Sequence, residues 1–469
     1  MLTNGTIRCS ERPSGSSTAR VHRVRRARPG RQVHRVHRVR PVLASTQRVP
    51  GECPANTRAE MVKGAVPFMD ELQIVAVGDV FVHRERPEEA FQHVSSAFQQ
   101  ADTTFANLEG VYCTTQERAP SAGVPVIADP SHARGVAGAG VDVVSLANNH
   151  SLDGGTLALL ETRALMRGSG VATAGAGENR EDAHRPAVLD TRRGRVAVLA
   201  YASVFPCGYE ARPGVPGLAP LRASTLYTPW ETNEWNPGLL PRVTTVPDEG
   251  DMEVLREDVA RARDQADVVL ASFHWGDFTR PYVLTDHETR TARAAIDAGA
   301  DAVLGHHHHL LRGIEFHRGR PIFYGLGHFA FDLPGLEERL RKSAYLGRGD
   351  ARLRRESARR FGEFRIGPRE GHPLLPFHPD GRLTGFALIG WADGSIRAGF
   401  APCVLGPDNS PRPVAASTPE GKEVIDYLER ACAYEELPTR FERDAYTFHG
   451  IHVTAVRPAD RPAAPRTSA

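Results

Sequence analysis

The chain has no Cys-x-x-Cys pair. Its six cysteines (Cys9, Cys53, Cys113, Cys207, Cys403 and Cys432) are scattered over 469 residues. That argues against a zinc finger or a disulfide scaffold and suits a reducing cytoplasm. The sequence also lacks the run of about 20 apolar residues that a membrane-crossing helix needs. Near the N-terminus no apolar stretch of about 7–15 residues resembles an export signal. The expectation is a cytoplasmic protein with no membrane span. Lysine is absent from the first 60 residues, which hold 13 Arg and 3 Glu. The remainder carries 45 basic and 53 acidic side chains, so the formal net charge of +2 conceals a mildly acidic body. Nothing in that balance suggests a groove for nucleic acid.

Hydrophobic content of 41% and charged content of 24% are those of a globular protein, and 469 residues suffice for one large α/β domain with additions. Residues 1–68 are the exception. Val21-His22-Arg23-Val24-Arg25-Arg26 and His34-Arg35-Val36-His37-Arg38-Val39 form a low-complexity repeat with no core pattern. This segment is expected to be disordered, and Met61 and Met69 stand just before the first convincing strand, which suggests an over-extended start. From residue 71 strand-like and helix-like segments alternate, as in an α/β domain. Helices are expected over 87–99, 156–167, 252–267 and 286–298, and a hairpin over 314–324 around Arg318-Gly319. The main domain is placed at 70–335. Within it 205–249, rich in Pro, Gly, Thr and Trp, is a candidate lid or substrate-facing insertion. Residues 333–375 form a charged insertion, and 376–457 supply further strands and a helix. Among them is a hairpin around Asp393-Gly394 and a helix opened by Thr418-Pro419-Glu420. Residues 458–469 form a frayed tail.

The most informative segment is Leu304-Gly305-His306-His307-His308-His309-Leu310. Each imidazole must satisfy two ring nitrogens, so four in succession within apolar flanks are poorly explained by packing. On an extended segment residues two apart share a side, so either His307 with His309 or His306 with His308 can grip one ion. Other apolar runs also end in polar residues that bind metals. Ile74–Val77 leads into Gly78-Asp79, and Thr104–Ala106 into Asn107-Leu108-Glu109. Val143–Ala147 leads into Asn148-Asn149-His150, and Val268–Phe273 into His274-Trp275-Gly276. In α/β sheets ligands bind beyond the carboxyl ends of strands, and this recurrence describes a metal centre built from several of them. Gly175-Ala176-Gly177 lacks the rest of a phosphate-loop pattern and reads as a turn, and His287 and His317 receive no role.

Together Gly78-Asp79, Asn107-Leu108-Glu109, Ala147-Asn148-Asn149-His150-x-x-Asp153-x-Gly155, His274-Trp275-Gly276 and Gly305-x-His307-x-His309 follow the order and spacing of a known family. So do the stretches from Gly299 to Gly305 and from Tyr324 to Asp332. Over residues 72–332 the chain resembles the bacterial capsule-synthesis CapA (poly-γ-glutamate biosynthesis) family, which is similar to calcineurin-like metallophosphoesterases. The resemblance implies a four-layer α/β-β/α sandwich, with a C-terminal β-hairpin and helix added, around one or two divalent metals. Asp79, Glu109, Asn149, His274, His307 and His309 would be the ligands, with Glu109 bridging. Carboxylate, amide and imidazole without thiolate suit Mn, Fe or Zn. Hydroxide held at such a centre would be the nucleophile, with His150 as general acid oriented by Asp153. Asn107, Asn148, Trp275 and His328 would contact substrate or brace the ligands.

Three features depart from the pattern. His308 stands where the family has proline, which keeps the two outer imidazoles and selects the His307 and His309 register. His328 stands where the family has asparagine. The Asp-x-His opening of phosphoesterases is missing, since Val80 and Phe81 follow Asp79, so one metal is expected to have a thinner ligand set. The implied activity is a metal-dependent hydrolase of phosphoester or γ-glutamyl amide bonds, acting on a small molecule or a capsule-type polymer. The alternatives are a cytoplasmic phosphoesterase of a small metabolite and a non-catalytic accessory subunit of a polymer synthase.

Overall fold

The computed structural model describes residues 71–115, 118–119, 123–228, 241–336, 371–374 and 378–459. The basic segment 1–68, most of the charged insertion 333–375, the middle of the 205–249 insertion and nearly all of the tail 458–469 lie outside the described residues.

Apolar runs become strands in chain order. β1 (Leu72–Phe81), β2 (Thr103–Leu108), β3 (Val143–Ser145) and β4 (Ala172–Ala174) lie side by side and parallel. Helices lie in their connections, among them α1 (Ser95–Gln100) and α2 (Gly155–Gly168). A second sheet begins with β5 (Ala187–Asp190) and β6 (Arg195–Ala202). The ribbon β7 (Ala223–Thr228) and β8 (Arg242–Pro247) follows, paired only with itself. Helix α3 (Glu249–Arg263) leads to β9 (Val268–His274), and α4 (Asp286–Asp297) to β10 (Ala302–His306). The hairpin β11 (Ile314–His317) and β12 (Arg320–Phe323) completes a six-stranded sheet of order β11-β12-β10-β9-β6-β5.

The chain then returns to the first sheet. β13 (His328–Phe331) pairs in parallel with the second half of β1, and β14 (Leu383–Ala392) pairs antiparallel with its first half. β15 (Ser395–Leu405) and the short β16 (Pro411–Pro413) follow, then helix α5 (Pro419–Tyr434) and the hairpin β17 (Thr439–Phe448) and β18 (Ile451–Pro458). They extend this sheet to ten strands.

The α/β expectation holds, and its physical basis is visible in strand parity. On β6, Val196, Val198 and Ala200 join a core shared with β1, β2 and β14, whereas Ala197, Leu199 and Tyr201 pack with α3 and α4 residues such as Leu255, Val259 and Ala292. A parallel sheet buried on both faces has continuous apolar runs rather than alternation, which is how these strands read in the sequence. The helix expected over 87–99 is instead a 3-10 turn (Pro87–Phe91) followed by α1. β-branched Val94 between them and the Ser95-Ser96 pair that opens α1 are weak helix formers, so the apolar spacing is met by two short turns. Among the described residues no helix is long and apolar enough to cross a membrane.

The crossing of β1 with the chain before β13 is tight. A Cβ added at Gly78 would lie 1.9 Å from the Gly327 carbonyl oxygen, a backbone atom that cannot swing away. Gly78→Ala is therefore expected to cost about 2–3 kcal/mol of stability, the upper part of the overpacking range, by denaturant unfolding. Unchanged stability would mean that the two segments separate readily.

Candidate metal centre

Sheet register brings three polar residues into one row. Asp79 on β1 is the direct partner of Asn107 on β2 and of His328 on β13, and the ladder is irregular just at Asp79/Val80. Glu109 follows the end of β2 and donates its backbone N–H to Val80 O at 3.0 Å. In the other sheet His274, the last residue of β9, is the register partner of His306, the last of β10. The two strand-end groups meet in the interior, and Asp79, Glu109, His274, His307, His309 and His328 are all buried.

The histidine run does not continue as a strand. β10 stops at His306, and His307 and His309 adopt φ of 92° and 55°. Positive φ is costly for a residue with a Cβ, about 1–3 kcal/mol each, and it clusters where function over-determines the backbone. The shared side of His307 and His309 thus comes from left-handed turns, not from the extended pleat that the spacing suggests. The four rings go to different places. His306 packs on Phe105 with its Nδ1 3.6 Å from Asp79 Oδ1. His307 Nδ1 lies 3.1 Å from His274 Nε2. His308 Nε2 lies 2.8 Å from Glu288 Oε1. His309 Nδ1 lies 3.1 Å from Asp79 Oδ2, and its Nε2 lies 3.6 Å from Glu109 Oε1.

Among the described residues two sets of donors emerge, each with atoms within 4.8 Å of one another: Asp79, His309 and His328, and Glu109, His274 and His307. Neither oxygen of Glu109 receives a hydrogen bond from any described residue, although the carboxylate is fully buried. Native interiors rarely leave such oxygens unsatisfied, and a cation answers that need. The donor chemistry, oxygen and imidazole nitrogen without sulfur, also fits a divalent transition metal. Burial and the neighbouring Asp79 charge push the Glu109 carboxyl well above its ordinary range. Burial works the same way on Asp79, but the His309, His306 and His274 imidazoles overcome it and hold that carboxyl low. Burial, followed by neighbouring imidazoles, pushes His274, His307 and His328 well below the usual histidine range, and it takes His306 down to about 4. The rings are thus kept neutral, with lone pairs available for coordination.

Amides brace this arrangement. Asn107 Nδ2 donates to Asp79 Oδ1 at 2.9 Å, and Asn148 Nδ2 donates to Asn107 Oδ1 at 3.2 Å and to Leu108 O at 2.8 Å. Asn149 Oδ1 lies 2.6 Å from His274 Nε2. Beside them His150 Nδ1 lies 2.7 Å from Asp153 Oδ2. Asp153 does not cap the helix that follows, since the N-cap of α2 is Gly154, with no side-chain cap. Asp153 is committed instead to His150, to the Val126 N–H at 2.6 Å and to the Tyr209 hydroxyl at 3.2 Å.

Trp275 is not a substrate wall. It is fully buried, stacks on Phe273 at 4.7 Å and donates its indole N–H to Tyr324 O at 3.0 Å. The residue immediately after strand-end His274 points to the opposite face, which here is core. The sequence reading missed Phe278, whose ring lies 5.5 Å from His307. It also missed Tyr209, which no motif marks, and Glu288. Thr285-x-x-Glu288 is readable as a capping box, and the box is present, but the bond to His308 is a long-range contact.

Residues 73–333 match the family described as bacterial capsule synthesis protein PGA_cap. An uncharacterised protein of Sinorhizobium fredii is 33% identical over 313 residues, which cover 57% of this chain and 68% of that protein. A Bacillus anthracis protein named for capsule biosynthesis, CapA, is 26% identical over 280 residues, covering 56% of this chain and 60% of its own length. A Mycobacterium tuberculosis protein named as a polyglutamine synthesis accessory protein is 31% identical over 198 residues, 41% of this chain and 46% of its own.

Proposed function

The chain belongs to the PGA_cap family of bacterial capsule synthesis proteins, and on that premise we propose that it is a metal-dependent hydrolase linked to a polyglutamate or capsule-type polymer. The bond cleaved is a phosphoester or a γ-glutamyl amide. The observation that carries this reading is the buried, undonated Glu109 carboxylate standing between the imidazoles of His274 and His309, each 3.6 Å away. We read the two sheets, with helices packed on them, as the inner layers of a four-layer α/β-β/α sandwich, which places this cluster where strand ends of both sheets converge.

Asp79 and His309 would hold one ion, His274 and His307 the other, and Glu109 would serve both, with Asn149 beside His274. Divalent transition metals bound there supply Lewis acidity toward a phosphoryl or carbonyl oxygen. The chain's own contribution is proton handling and geometry. Asp153 accepts from Nδ1 of His150 and thereby leaves Nε2 to carry the proton delivered to the leaving group. The Asn148–Asn107–Asp79 relay of hydrogen bonds fixes one ligand's orientation, as bracing partners of metal ligands do.

His150→Ala is expected to keep its metal content and to lose turnover about 10²–10⁴-fold, the usual share of a general acid. His307→Ala is expected to lose both. The assays are elemental analysis and hydrolysis of bis-p-nitrophenyl phosphate and γ-glutamyl p-nitroanilide. Turnover unchanged by His150→Ala would remove His150 as the general acid, whereas a metal-replete unaltered protein with no turnover on either substrate would favour an accessory role with a structural metal.

A further inference from the structure

We infer that His328 is a metal ligand, supplying to the Asp79 ion the imidazole that the missing Asp-x-His opening does not; this rests on the metal-centre reading above. Without it the Asp79 ion would have a single imidazole, from His309, against two, from His274 and His307, in the other set. The residue two after Asp79 cannot help. Phe81 is buried and stacked on Tyr112 at 5.4 Å, part of the core. The neighbouring strand offers another route. His328 opens β13 and is the register partner of Asp79. Adjacent strands lie about 4.8 Å apart, and paired residues project to the same face, so an imidazole at this position enters the space that Asp79 faces.

The position is firmly held. His328 is 1% exposed, its ring is stacked on His309 with centroids 4.5 Å apart, and its backbone oxygen accepts from the Thr384 hydroxyl on β14. An asparagine there would offer an amide oxygen on a shorter side chain. With His328 included, both donor sets consist of one carboxylate and two imidazoles. A nitrogen-rich set of this kind favours Zn, Fe, Mn or Co over Mg or Ca, which prefer oxygen ligands.

The test uses the full chain, stripped with chelator and titrated with Co²⁺, with stoichiometry and affinity followed by calorimetry and elemental analysis. The unaltered protein is expected to take up two ions. H328N is expected to keep one and to bind the other at least about 10-fold more weakly, since even partners outside the ligand set cost 10–100-fold. Two ions bound with unchanged affinity in H328N would overturn the inference and leave the hydrolase reading standing. No Co²⁺ bound by the unaltered chain would overturn both. A measurement that needs no variant guards against misfolding. The NMR spectrum of the Co²⁺-loaded unaltered chain should show hyperfine-shifted imidazole signals from four histidines (His274, His307, His309 and His328). Absence of a hyperfine-shifted signal assigned to His328 would exclude it.

Discussion

Replacing Glu109 with glutamine is expected to stabilise the metal-free protein while lowering metal affinity about 100-fold or more. Glu109 is fully buried, accepts no hydrogen bond from a described residue and lies beside the Asp79 carboxylate. Its carboxyl is pushed well above the ordinary range, first by burial and then by Asp79. An acid whose folded value is raised binds its proton more tightly when folded, so its ionisation draws stability from the fold as pH rises above the unfolded value. Glutamine removes that cost. The gain should therefore be present at neutral pH and vanish below the ordinary glutamate range, and thermal unfolding in chelator at the two pH values measures it.

Metal affinity should move the opposite way, because an amide cannot serve two cations as a carboxylate can. The loss should reach or exceed the upper end of what bracing partners cost, about 100-fold. Turnover should fall about 10³-fold, since a metal contributes several kcal/mol of charge stabilisation and each 1.36 kcal/mol is a factor of ten. Metal added to the unaltered protein at about 100 times its dissociation constant should stabilise it by about 2.7 kcal/mol, a response the variant should lack. A Glu109→Gln protein that still gains full stability from metal would remove Glu109 from the ligand set.

Replacing Asp332 with alanine is expected to cost about 3–5 kcal/mol, the range for stripping one partner from a buried ion pair. Its carboxylate is fully buried and accepts from the His83 N–H at 3.0 Å, from Arg84 Nε at 2.8 Å and Nη2 at 2.6 Å, and from Asn409 Nδ2 at 3.0 Å. The Arg84 side chain is only 15% exposed, so its charge would be stranded where water helps little. Arg84 Nη1 also donates to Ser410, whose hydroxyl donates to Glu89 O. One carboxylate thus ties the exits of β1 and β13 to the turn before β16. Urea unfolding of the metal-free protein measures the loss. A cost below about 1 kcal/mol, the worth of a surface pair, would mean that water replaces the carboxylate.

The sequence revealed elements better than their connections. The 314–324 hairpin, the 383–400 hairpin and the final helix occur close to where turn residues and caps place them. Their signals are local: a turn pair, an N-cap Thr418 that accepts from Gly421 N, and proline just after it. The β17–β18 hairpin was not legible. Its edge strand β17 mixes charged and half-buried residues, with little apolar contrast to read. The four-histidine run drew attention to these side chains but misled about their geometry, because positive φ at His307 and His309 is invisible in residue identity.

By itself the sequence determined which residues could do chemistry and that they stand at strand ends. An apolar run stopped by Asp, Asn or His is a local pattern, and the α/β alternation already implies a shared edge. Only the tertiary structure decided which of these residues meet. The Asp79 and His328 pairing spans 249 residues and exists because β13 docks in register on β1. The His150–Asp153–Tyr209 chain exists because the insertion after β6 folds back on it. Trp275 was assigned to core by the parity of a strand end, and the left-handed residues His307 and His309 leave His308 between them facing Glu288. Registers and dihedrals are settled by packing over the whole sheet, where one residue of slip would turn every side chain to the other face.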